Sequence, residues 1–507
     1  MINTLGIGIL LLYVSVLIGF GIYGAKLNLK TSEDYFLAGR GLGSIAIFMA
    51  LFASNITAFT IIGHAGFAYQ AGYGAYGYVI GWSIFITPFT YYLVGYRSWL
   101  LGKRYGYATQ PQVFGGIFNS KLVAMLFLIL LLYYTLPYLV VSIIGGSLAF
   151  TTISDGAVPY WLSAVIIIVI SLIYTIPAGM RGTVWTDIFQ GTIFLVVAVM
   201  LLFAVAQALG GFSAITERIL QDRPEMLQRA LSPQLEPINW FSFSFINSIA
   251  VIVFPQMYTR ILATRSSRNL KQVSIYYPLA LAAIFGVSTL LGVWGSVAVP
   301  GLAGVDTDNI VPLLIHRFLS PAWMILGLVV ILAVVKSSID SQLLSVTHLV
   351  TVDLLPRLRR INPRQLVLWG RLLLVIFAAA AYYIALARPA AILSIAAFAF
   401  SGFSVILPVM IGALYWPRAN KYGACAALVL PAVMLHLWYL GILPRWTTFG
   451  FMPVFPAFIL AILTLVAVSY LTPAPPPEQR EKTFGIFDKV FTGPANEPGS
   501  GGQHKIS

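Results

Sequence analysis

The segment Ala333 to Leu344, AVVKSSIDSQLL, sets a lysine and an aspartate inside an apolar run from Trp323 to Val350. That run is long enough to cross a bilayer. An ionisable group at the centre of such a helix costs roughly 2.5–3.5 kcal/mol on insertion scales, and more against lipid, so Lys336 and Asp340 must face protein or water. They lie four residues apart, which puts them on one helix face within pairing reach. Ser337 and Ser341 extend that face by one position, and Ser338 lies beside them. Asp187, in RGTVWTDIFQ, is read as the other charge deep in an apolar segment. A structural ion pair locking two helices together would account for Lys336 with one carboxylate. Two carboxylates against one ammonium leave a negative charge unmatched. Sodium would neutralise it, since hard cations take carboxylate, hydroxyl and carbonyl oxygens, and so would a proton on one carboxylate.

The elements that must carry these residues are membrane spans. With 59% hydrophobic and only 9% charged residues among 507, the chain is read as an all-α integral membrane protein. Apolar stretches predict about thirteen transmembrane helices, at 3–24, 43–67, 73–98, 122–150, 160–178, 183–209, 241–262, 275–299, 322–349, 366–387, 391–415, 423–441 and 449–471. The first is taken as a span, because no basic leader region or small-residue cleavage site accompanies it. Placing the N-terminus outside puts 22 of the 30 basic residues, Arg260 among them, in cytoplasmic loops and the tail, with six in outer loops and Lys336 and Arg371 within spans. This split predicts a plasma (inner) membrane protein with its C-terminus in the cytoplasm. The net charge of +14 is spread between spans rather than gathered on one solvated face, so nucleic acid is not an expected partner. Cys425 is a lone cysteine and is read as a packed helix residue. Residues 1–471 form one transmembrane domain in this reading, and 472–507, rich in Pro, Gly and charge, form a disordered cytoplasmic tail.

Two spans are interrupted. The second, SIAIFMALFASNITAFTIIGHAG, carries Ser54, Asn55, Thr57 and Thr60 in its middle, and the seventh, FINSIAVIVFPQMYTR, carries Pro255 and Gln256. Non-helical backbone inside a membrane is tolerated where it lines a cavity, and broken helices offer carbonyls to cations and N-termini to anionic solutes. The breaks stand five spans apart. That spacing suggests a five-plus-five inverted repeat over spans two to six (42–209) and seven to eleven (241–415), with one span before (1–30) and two after (423–471).

These residues resemble the sodium/solute symporter family, which has the LeuT-type fold. From about Thr31 to Ala426, SEDYFLAGRGLG is similar to the family's D-Y-F-L-A-G-R signature, and ASNITAFTIIGHAGFAYQAG resembles its broken helix. IPAGMRGTVWTDIFQG resembles the segment ending W-T-D-x-x-Q, FPQMYTRILATRSS the P-H-x-x-x-R-x-x-A stretch, and AFSGFSVILPVMIGALYWPRANKYGACAA the F-S-G…L-Y-W-x-R-x-N block. The resemblance implies a sodium site between spans two and nine, using carbonyls of Ala53, Ile56 and Val334 and hydroxyls of Ser337 and Ser338. A second cation position of some members would use Asp187, Ser338, Asp340 and Ser341. The solute would meet Asn55, Thr57, Thr60, Phe254 and Gln256 at the two breaks.

Three positions depart from the family's pattern: Lys336 replaces an apolar or small residue, Asp340 a small hydroxyl residue and Gln256 a frequent histidine. The Lys336 ammonium could therefore stand in the sodium position, or attract a carboxylate solute. AYQAGYGAYGY distantly resembles the monocarboxylate-carrying subgroup. His64 is read as a core histidine before a proton relay. The expectation is a monomeric secondary transporter that takes up a small organic solute, such as a monocarboxylate or an amino acid, by alternating access. Sodium is the expected coupling ion. Proton-coupled or ion-independent transport is the alternative, and a transporter-like membrane sensor a further one. No enzyme activity is expected, because no H-E-x-x-H, nucleophile elbow or paired catalytic motif occurs.

Overall fold

Residues 4–27, 31–229, 231–358 and 362–491 are described by a computed structural model. Among them, ten helices have the length and apolarity to cross a membrane, and two bent helix pairs bring the count to twelve. The helical run Tyr160–Ala208 has 49 residues, which as one straight helix would reach about 74 Å at 1.5 Å per residue, more than twice a hydrocarbon core of about 30 Å. Gly179 divides it, with φ 56° and ψ −149°, a conformation in which a Cβ would collide with the Tyr35 backbone and ring. Spans five and six are thus two crossings hinged at a glycine, which accounts for the expected thirteen. Span one lies along this pair, and the pair packs in turn against span nine, Pro321–Leu358.

Both predicted interruptions are present. Span two runs Ser44–Asn55, breaks, and resumes as Phe59–Ala71 at a bend of 57°. Ile56 is extended at φ −73°, ψ 109°, and local side chains satisfy the freed backbone: Thr57 Oγ1 accepts the Phe59 amide at 3.1 Å, and Thr60 Oγ1 the Thr57 amide at 3.4 Å. Span seven runs Pro237–Val253 and Pro255–Leu262 with a 48° bend. Its cause is steric, because Pro255 excludes Phe254 from the α region and holds it at φ −56°, ψ 127°. The long loop after span six carries the helix Gly211–Asp222.

The expectation of a disordered tail from Thr472 fails over Pro477–Phe491, which is helical. Prolines precede and start this helix, and its apolar side docks on the span ends that carry Arg97, Tyr105 and Ile117. Phe487 is buried under the Arg97 guanidinium at 4.4 Å, Tyr105 donates to the Lys482 carbonyl at 2.7 Å, and Gln479 donates to the Ile117 carbonyl at 2.7 Å. The rest of the tail lies outside the described residues.

Candidate transport site

Lys336 and Asp340 share one face of span nine as their spacing requires, but they do not pair directly. The Lys336 ammonium donates to Ser171 Oγ at 2.8 Å and lies over the Tyr174 ring at 4.9 Å. Asp340 Oδ2 accepts the Tyr174 hydroxyl, while its Oδ1 has no hydrogen-bond partner. Thr175 and, from span one, Tyr13 lie close to the same carboxylate. Ser171, Tyr174 and Thr175 recur at one-turn spacing on span five, so a polar ladder joins spans five and nine. Lys336 therefore points away from both helix breaks. It stands neither in the expected sodium position nor among the solute candidates.

Asp187 comes to the other side of span nine. Its Oδ1 accepts the Ser337 hydroxyl at 2.7 Å and its Oδ2 the Arg260 guanidinium at 2.8 Å, with both charged side chains fully buried. Arg260 Nη2 also donates to Ser341 Oγ at 2.6 Å, and Ser341 meets Ser54 of span two at 2.9 Å. The assignment of Arg260 to a cytoplasmic loop is overturned: the helix after Pro255 continues to Leu262 and turns this residue inward. The charge count changes with it. Asp187 and Asp340 are matched by Lys336 and Arg260, so this central cluster carries no net formal charge. The signal was present in FPQMYTR, whose proline-to-arginine spacing puts Arg260 just over a turn past the break, but the basic run Arg265 to Lys271 made it look like part of a loop.

Part of the expected sodium ligand set comes together at the break of span two. Ser338 Oγ lies within hydrogen-bond distance of the Ile56 carbonyl at 2.6 Å and the Val334 carbonyl at 3.0 Å, its single hydrogen shared between them, so three of the five named groups share one point. Ser337 is next in sequence, with its hydroxyl turned to Asp187. Ala53 lies in the last turn of the first half-helix, Ser44–Asn55, and beyond it the Thr57 amide bonds forward to Thr60 Oγ1. Hydroxyl and carbonyl oxygens of this kind are what a hard monovalent cation binds. The four residues of the expected second cation position do not converge. Asp340 faces span five, Ser338 faces the break, and the guanidinium of Arg260 stands between Asp187 and Ser341.

Among the solute candidates, Phe254 centres an aromatic cluster with Tyr138 at 5.1 Å, Phe400 at 5.2 Å and Phe403 at 4.7 Å. Gln256 is buried with neither side-chain amide atom bonded, and Asn55 donates to the Tyr277 hydroxyl while its Oδ1 has no partner. Such orphaned groups are costly unless something visits them. Thr57 and Thr60 are committed to the backbone of the break. His64 bonds Thr289 at 2.9 Å and stacks edge-on to Phe285, as a core histidine does.

The model of the Sodium:solute symporter family matches residues 35–430, well over half the chain. The chain belongs to this family. Among its relatives, a sodium/pantothenate symporter of Escherichia coli is 26% identical, covering 90% of this chain and 94% of its own. An osmoregulated proline transporter of Bacillus subtilis is 26% identical over 94% and 99%, and a sodium/proline symporter of Staphylococcus aureus 26% identical over 91% and 92%. In structure the symporter is similar to a Na+-coupled sialic acid symporter in its substrate-bound outward-open state, with a TM-score of 0.76 at 18% identity over 94% and 99% of the two chains. It is also similar to a nucleobase-cation-symport-1 family transporter in a closed conformation, with a TM-score of 0.59 at 13% identity over 89% and 98%. The fold is all-α and LeuT-type, in an integral membrane protein, and the relatives named are transporters.

In this symporter the polar centre is sealed: the candidate ion and solute residues are all buried. A cavity of about 400 Å³ lies towards the ends of the spans, lined by Gln70, Tyr78, Phe243, Asp308 and Ser394 and floored by Gly63 and Phe67. Asp308 sits in the loop between spans eight and nine. Its Oδ2 accepts the Ile392 amide at 3.0 Å, capping the start of span eleven, where Ala391 provides no side-chain acceptor. Burial pushes its carboxyl up to about 6, against the lowering influence of the Ile392 amide and Arg388. The same helix, Ile392–Ser404, supplies Phe400 and Phe403 to the aromatic cluster. No sequence reading singled out Asp308, because a buried loop carboxylate has no spacing signature.

Proposed function

We propose that this symporter uses a sodium gradient to take up a small organic solute by alternating access, with its N-terminus outside, its C-terminus in the cytoplasm and one chain as the working unit. The contact of Ser338 Oγ with the carbonyls of Ile56 and Val334 carries this reading. It joins the unwound turn of span two to span nine at one oxygen-rich point. The sodium ion would take the carbonyls of Ala53, Ile56 and Val334 and the hydroxyls of Ser337 and Ser338, replacing the hydrogen bonds now made there. Binding holds the two spans in register, and with them the Asn55 end of the break where the solute is met. Ion and solute each raise the affinity of the other because both favour the same arrangement of the break, which is a reciprocal coupling free energy.

The solute site assigned here comprises Asn55, Thr57, Thr60, Phe254 and Gln256. Asn55 and Gln256 offer the unsatisfied polar atoms, Phe254 the apolar wall, and the two threonines the backbone geometry. Lys336 has no part in it. The N-terminus of the half-helix Pro255–Leu262 gives a solute carboxylate its favourable partner, so the class covers small carboxylates and zwitterions such as amino acids. Purified protein in proteoliposomes, offered a panel of radiolabelled monocarboxylates and amino acids under separate sodium and proton gradients, tests this. Accumulation of at least one solute driven by sodium alone is expected. Uptake driven equally by a proton gradient without sodium would overturn it.

A further inference from the structure

Four ionisable side chains surround the buried middle of span nine: Asp187, Asp340, Lys336 and Arg260, each without solvent exposure. Their formal charges cancel. Both oxygens of Asp187 are occupied, one by Ser337 and one by Arg260. Ser341 is engaged by Arg260, by Ser54 and by the Ser337 carbonyl at 2.7 Å. On the opposite side, Tyr174 and Ser171 tie Asp340 and Lys336 into one ladder. One turn from the oxygen cluster of Ile56, Val334 and Ser338, every carboxylate already has a cationic neighbour of the chain's own.

We propose that Lys336 and Arg260 act as fixed internal cations that fill the place of a second coupling ion, so that this symporter binds one sodium ion per chain. The inference rests on the sodium-coupled reading above. Its physical basis is the cost of net charge in low dielectric: a first cation enters among neutral carbonyls and hydroxyls, whose dipoles turn towards it. A second, placed beside Asp187 or Asp340, would meet a carboxylate whose charge is already cancelled and would leave an excess positive charge in a buried site. Removing one internal cation reverses this. Without the Lys336 ammonium, Asp340 keeps a bare charge beside Tyr174, Ser171 and Thr175, and a visiting cation becomes favourable there. Arg260 differs in that it also holds Asp187 and Ser341 in place, so its loss disturbs geometry as well as charge. Lys336 is the cleaner probe.

The experiment measures binding of 22Na+ alone to the purified full chain in nanodiscs, which needs no knowledge of the solute. One sodium per wild-type chain is expected, with a Hill coefficient near one. Lys336→Met should raise the count to two, and Lys336→Arg should keep it at one. Two sodium ions on the wild type, or a count of one in Lys336→Met protein that elutes as a single folded species, would overturn the inference. Should Lys336→Met not fold, the wild-type count still decides between one and two. Absence of saturable 22Na+ binding to the wild type would instead remove the sodium-coupled reading itself.

Discussion

Arg260 of span seven and Asp187 of span six meet at 2.8 Å with both side chains fully buried, and through them the two repeats are joined beside the Ser338 oxygen cluster. A buried pair of this kind adds little net stability, but losing one member strands the other charge.

Arg260→Met should therefore destabilise the protein by about 3–5 kcal/mol, while Arg260→Met combined with Asp187→Asn should recover much of that loss. Thermal unfolding of the single and double variants in one detergent measures this. Additive losses would show that the two charges act independently.

Ser338→Ala removes the hydroxyl that touches both Ile56 and Val334. The sodium concentration for half-maximal binding should rise by about tenfold or more, equivalent to ~1.4 kcal/mol. Ser401, whose hydroxyl bonds the Ala397 carbonyl of its own helix, is the control. Equal effects of Ser338→Ala and Ser401→Ala on 22Na+ binding would discount the assigned ligand set.

Asp308 binds its proton more tightly in the folded protein than in the unfolded chain, because burial raises its pKa to about 6. Stability from this group is greatest when it is protonated and falls as pH rises from about 4 through 6, by on the order of 3 kcal/mol at full titration. Asp308→Asn keeps an acceptor for the Ile392 amide without the titration. Melting temperatures at pH 5 and 7.5 should diverge less in Asp308→Asn than in the wild type, and an unchanged pH dependence would refute the assignment.

The tail helix Pro477–Phe491 is held by Phe487 under Arg97. Phe487→Ala should release it, costing about 3 kcal/mol locally and raising trypsin cleavage after Arg480 and Lys482. Equal cleavage rates in variant and wild type would show that this contact does not hold the tail.

Much of this arrangement was legible beforehand. Pro255 announces its break because the proline ring restricts Phe254 wherever it occurs, and Ser54, Asn55 and Thr57 announce the other because hydroxyls and amides can take over backbone bonds. Ser338 entered the expected ligand set through the family resemblance. Arg260 was misread because charge density along a chain locates a residue near an interface without saying which way its side chain turns. Lys336 was misread for a related reason: spacing put it on the face of Asp340 but did not say which helix that face meets.

Composition and apolar run length determined by themselves that this chain lives in a bilayer as helices, since hydrocarbon leaves a backbone few other choices, and Pro255 with the polar Ser54, Asn55 and Thr57 marked where two of those helices break. Which charges cancel was decided by tertiary structure. The rotation of span nine against spans five and six sends Lys336 to Ser171 and Ser337 to Asp187, and the bend at Phe254 brings Arg260 inward. Those rotations follow from packing among side chains far apart in sequence, whose combined contacts no local pattern records.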